Sequence, residues 1–118
     1  MNSHFQFEVA PDVRELAALR RSLAEWLARV ESSARDAVIL ATHEAAANAV
    51  EHAHAGVVVT ASRNRDRVTV VVRNSGGWKE SDGSEGRGRG LILMRALMSQ
   101  VEIGSRQDGT VVRMHLAL

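Results

Sequence analysis

Glu44, Asn48, Glu51 and His52 stand out in the segment Glu44-Ala-Ala-Ala-Asn48-Ala-Val-Glu51-His52-Ala53. On an α-helix, successive residues rotate by about 100°, so this spacing places all four on one stripe. A carboxylate there can act as a general base, and an amide oxygen one turn away can hold a hard cation. A solvated polar face would use the same residue types. Two details favour chemistry. Asn is a mediocre helix former with no capping task at position 48, and the surrounding alanines let another group approach the backbone.

A second segment complements the first. Gly86-Arg87-Gly88-Arg89-Gly90 runs into the apolar Leu91-Ile-Leu-Met94. Glycines let backbone N–H groups approach an anion without a Cβ in the way. The helix that follows adds the partial positive charge of its N-terminus. Arg87 and Arg89 can give charge-assisted hydrogen bonds to phosphate. No Gly-Lys-Ser/Thr follows, which excludes a Walker A loop, and the spacing does not suit a dinucleotide fingerprint. A third segment, Val70-Val-Val-Arg-Asn74-Ser-Gly76-Gly77, ends a strand in a polar side chain and a tight turn. There a side chain can read a ligand while Gly76 admits its flat face.

The elements that must position these groups are legible from periodicity. Residues 5–9 alternate as a short strand. A helix begins at Pro11-Asp12, with Val13, Leu16, Leu19, Leu23, Trp26, Leu27 and Val30 as its buried stripe. Ser32 and Ser33 are capping candidates for a second helix running to about Ala53. Residues 57–62 and 67–73 form a hairpin turning at Arg63-Asn-Arg-Asp66. The polar stretch from Asn74 to Gly86 is a surface loop. A short helix over 91–98 follows, then strands at 101–105 and 110–118 joined through Gln107-Asp108-Gly109. In the last strand Val112, Met114, Leu116 and Leu118 face one way. His43 and His115 read as surface residues. This order predicts a two-layer α/β (α+β) sandwich, with a mostly antiparallel sheet and helices on one face.

At 118 residues the chain is long enough for one domain, 1–118, with an adequate core. A net charge of +1 gives no electrostatic case for nucleic acid or a membrane surface. Two Phe, two Trp and no Tyr argue against base stacking as the main task. The absence of cysteine removes disulfides, thiolate metal sites and cysteine catalysis, and suits a cytoplasmic protein. No apolar run reaches the roughly 20 residues of a membrane helix, and the N-terminus lacks the regions of a signal peptide.

In this order, the three segments and the closing Gly109-Thr110 resemble the GHKL (Bergerat-fold) ATPases, and within them the anti-sigma-factor serine kinases of bacterial partner-switching systems. The resemblance implies a site that takes ATP and Mg²⁺. Glu44 would be the general base, Asn48 the metal ligand and Arg87 the catalytic cation. Glu51, His52, Asn74, Gly76, Gly86, Gly88, Arg89, Gly90, Leu91 and Thr110 would complete the nucleotide site, with residues 75–87 as its lid. The implied partners are a STAS-domain anti-anti-sigma protein, phosphorylated on serine, a sigma factor, and a second copy of the chain as homodimer. The family has Asp where Asn74 stands. That departure leaves open a second reading, a STAS-binding or anti-sigma module with impaired nucleotide binding. The ATP-binding half of a two-component histidine kinase is disfavoured, because no dimerising helical region with a phospho-acceptor His is present.

Overall fold

The computed structural model describes residues 4–53, 56–74, 88–106 and 109–118. Five strands, β1 (His4–Val9), β2 (Val57–Arg63), β3 (Arg67–Asn74), β4 (Gln100–Arg106) and β5 (Gly109–Ala117), form one sheet. Their spatial order is β1-β2-β3-β5-β4, and every neighbouring pair is antiparallel. Three helices, α1 (Leu16–Trp26), α2 (Ser32–Asn48) and α3 (Gly88–Leu97), complete the expected order of elements.

Strand alternation decides which sheet face the helices cover. Val57, Val59 and Ala61 of β2, Val68, Val70 and Val72 of β3, and Val112 and Met114 of β5 are all buried. The register sets Val59 opposite Val72 and Val72 opposite Val112, so these side chains form continuous rows on one face. Leu16, Leu19, Leu23 and Leu27 recur at three- and four-residue spacing and bury the matching stripe of α1. Trp26 closes that helix against Phe5 of β1, with ring centroids 5.6 Å apart.

Several ends differ from expectation. Val13 is half exposed, because Asp12 caps a short 3₁₀ turn over Val13–Glu15 that rotates it off the buried stripe. Leu118 lies beyond β5 and is likewise exposed. The cap of α2 is Glu31, not Ser32 or Ser33. Its Oε1 accepts from the Ser33 N–H at 3.0 Å and its Oε2 from the Ala34 N–H at 3.2 Å, while the Ser33 hydroxyl also donates to it. A carboxylate reaches two orphan N–H groups and meets the positive end of the helix, which neither serine can match.

Those hydrogen bonds, led by the Ser33 hydroxyl, hold the Glu31 carboxyl at about 2, against an ordinary 4.5. A depressed folded-state pKa contributes stability above the unfolded value and loses it as pH falls through the folded value. We therefore expect the acid limb of the stability curve between about pH 4.5 and 2 to be shallower in Glu31→Gln than in the parent. Urea denaturation followed by circular dichroism across that window checks this; parallel limbs would refute the capping role.

α2 is the central helix. Val38, Ala41, Thr42, Ala45, Ala46, Ala49 and Val50 are all buried along it, against α1 on one side and α3 on the other, with the sheet beneath. Alanines let α3 approach closely. The α-helix expected to about Ala53 ends at Asn48, and Ala49–Ala53 continue as one π-turn. No helix among the described residues is long and apolar enough to cross a membrane.

Candidate active site

Four element ends lie at one pole of the molecule: the C-terminus of α2, the N-terminus of α3, the last residue of β3 and the start of β5. Glu44 and Asn48 sit one turn apart, both half-buried, in the last α-helical turns of α2. The π-turn then begins at the next residue. Such turns rotate the chain by less than the α-helical step per residue and recur at functional sites. Glu51 therefore falls behind the stripe of Glu44 and Asn48, and its side chain is exposed. His52 belongs to the same turn, and its side chain lies outside the described residues.

The contact that joins the first two walls runs between α2 and α3. A Cβ built on Gly90 would stand 3.4 Å from Glu44 Oε2. The carboxylate thus lies against the first turn of α3, which Gly88 opens and which continues through the exposed Arg89 to the half-buried Leu91. That turn carries the helix's unpaired N–H groups and its positive dipole end, so it can hold negative charge. A base and an anion-binding helix end therefore face the same space.

The third wall comes from the register. Asn74 pairs with Val57 on one side and with Thr110 on the other. It lies two residues beyond Val72, so it shares the helix-covered face. Thr110 is 1% exposed. The core rows of the sheet thus end in a polar pair at the pole where α2 ends and α3 begins. Gly109, at the start of β5, has φ 154°, a conformation that glycine tolerates and other residues rarely adopt.

His43, beside Glu44, is half-buried rather than a plain surface residue. Arg20 Nη1 lies 2.9 Å from its Nδ1. Arg is always a donor, so this contact requires a neutral ring with Nδ1 accepting. Burial, and then the Arg20 charge, lower its pKa, against the opposing pull of Glu44 and Glu51. His115 is half-buried too, with its Nδ1 2.9 Å from Thr69 Oγ1.

Gly76, Gly86 and Arg87 lie outside the described residues, as does the turn at 107–108. Among the described residues no group of three His, Cys, Asp or Glu side chains forms a metal cage. The donor expected there, the Asn48 amide, is a hard oxygen. It suits Mg²⁺, which takes few protein ligands and completes its shell with water and phosphate oxygens.

The family model of the histidine kinase-like ATPase domain matches residues 9–116. The chain belongs to that family. Among solved structures it is similar to the crystal structure of the RsbU and RsbW domains of Rv1364c from Mycobacterium tuberculosis, with TM-score 0.81 and 25% identity over 98% of this chain. This chain spans 32% of that longer one. It also shares its fold with the Acinetobacter baumannii histidine kinase AdeS, with TM-score 0.58, 10% identity, and coverage of 96% of this chain and 67% of that one. The family match therefore agrees with the GHKL resemblance and extends over residues 9–116.

Proposed function

We propose that this histidine kinase-like ATPase domain is a cytoplasmic protein-serine kinase of a partner-switching system. The reaction is ATP + protein-serine → ADP + phosphoprotein, on a STAS-domain anti-anti-sigma protein, with a sigma factor as the second, sequestered partner of a homodimer. The observation that supports it most is the Glu44 carboxylate lying against the first turn of α3 at Gly90. In that place the carboxylate takes the proton of the incoming serine hydroxyl while the helix end and Arg89 face the phosphates. Asn48 would hold Mg²⁺, which supplies charge neutralisation on the phosphates. Asn74 and Thr110 would read the base. Likeness to an RsbW domain over 98% of the chain supports the same reading.

The test is transfer of labelled γ-phosphate to a STAS partner in the presence of Mg²⁺. Phosphoserine on the partner is the expected result; its absence, with a working control kinase alongside, would overturn the kinase reading. Asn74 favours one second reading, a module that sequesters its partners without nucleotide chemistry. Titration calorimetry separates the two, because micromolar Mg-ATP binding by the parent chain counts against it.

A further inference from the structure

A second concavity lies at the opposite pole. It has a volume of about 680 Å³ and sits between the α1–α2 connection, the β2–β3 turn and the C-terminal ends of α3 and β5. β3 runs from that turn to Asn74, seven steps away, or roughly 23 Å at 3.3 Å per residue. α2 runs the same way, with Ser33 at the groove and Asn48 at the candidate active site. The groove is therefore separate from everything assigned above.

Its floor is apolar. Ala34, Ala37, Leu97 and Leu116 line it, and the two leucines extend the hydrophobic core to the surface. Its rim is cationic. Arg29, Arg63 and Arg65 line it, and none of the three forms an ion pair with a described carboxylate. Among the described residues of the lining Glu31 is the one acidic side chain, and both of its oxygens already accept hydrogen bonds at the start of α2.

Arg63 gives the rim a fixed point. Its guanidinium centre lies 5.4 Å from the centroid of the Trp26 ring, which holds it over the aromatic face. Its Nε is buried and has no acceptor among the described residues. A carboxylate suits this site best, because it accepts charge-assisted and bidentate hydrogen bonds from guanidinium.

We propose that this groove docks an acidic amphipathic helix of a partner protein, with its apolar side chains on the Ala34–Leu116 floor and its carboxylates on Arg29, Arg63 and Arg65. The concave apolar floor fits a row of side chains better than a flat lipid surface. Because the groove lies at the far pole, it is filled whether or not nucleotide is bound, and the assignment does not depend on the kinase reading.

Trp26 supplies the readout. The chain has two tryptophans, so Trp78→Phe leaves Trp26 alone. The probe is an acetylated, amidated peptide of about twelve residues, which is ~18 Å of helix, with leucines at i, i+3, i+4 and i+7 and glutamates elsewhere. We expect saturable binding that changes Trp26 emission. Affinity should fall at least about tenfold when lysine replaces the glutamates, and at least about tenfold in Arg29→Gln/Arg65→Gln. Saturating Mg-ATP should leave it within about twofold. Both arginines are exposed, so the double variant retains its fold; Ala37→Glu, which places a carboxylate on the floor, should block the peptide independently. No saturable binding, equal binding of the lysine peptide, insensitivity to these variants, or competition by nucleotide would each overturn the proposal. So would binding to anionic phosphatidylserine vesicles without binding to the peptide.

Discussion

Glu44→Ala is expected to lower phosphoryl transfer to a serine partner by about 10²–10⁴-fold while leaving the Kd for Mg-ATP within about threefold. A general base takes a proton only as the reaction proceeds, so its loss is felt in the transition state and not in nucleotide binding. The position of Glu44 favours this split. Its carboxylate lies beside Gly90, on the side of α3's first turn, and its removal takes negative charge away from the proposed phosphate site. The fold loses little, since a half-buried carboxylate near a helix N-terminus contributes about 0.3–1 kcal/mol. Single-turnover transfer with labelled ATP, paired with calorimetry on the same protein, checks both halves. Loss of nucleotide binding together with transfer would show Glu44 to be a binding group and remove it from the chemistry.

Asn74→Asp is expected to tighten adenine-nucleotide binding by about tenfold. Asn74 stands opposite Thr110 on the helix-covered face, where the core rows end. An Asn amide offers a neutral acceptor, whereas a carboxylate accepts the adenine amino group with charge assistance. The difference between those two kinds of hydrogen bond is about 1–2 kcal/mol, and 1.4 kcal/mol is tenfold in Kd. Calorimetry with ATP and with GTP checks the direction. Unchanged ATP affinity would mean that residue 74 does not meet the base. A gain for GTP in place of ATP would mean that the site is built for a different purine edge.

Much of this arrangement could be read from residue order. Leu16, Leu19, Leu23 and Leu27 announced their buried stripe because α1 covers the sheet with one face only. Val68, Val70 and Val72 did the same for a strand with one covered face. α2 resisted such reading. It is packed on both flanks and below, so Val38, Ala41, Thr42, Ala45, Ala46 and Ala49 spread its burial over a wide arc and no narrow stripe dominates.

The π-turn after Asn48 had no breaker to mark it, since Ala-Val-Glu-His-Ala reads as ordinary helix. Cap preferences rank short side chains first, so residue type points to Ser32 and Ser33 ahead of Glu31. The approach of Gly90 to Glu44 joins residues far apart in sequence, and no local pattern reports it. The spacing of Glu44 and Asn48 did, however, place both on the same side of α2 within its α-helical part.

The strand order has a kinetic side. β2–β3 and β4–β5 are hairpins of neighbouring strands, whose short turns close cheaply. The β3–β5 pairing instead joins segments that α3 and β4 separate, so its closure entropy is the larger and the zipper between the hairpins completes late. Asn74 and Thr110 face each other across that seam. A ligand gripping both would act as a clasp on a long-range join between the hairpins, and so lengthen the lifetime of the folded chain as well as occupying its site.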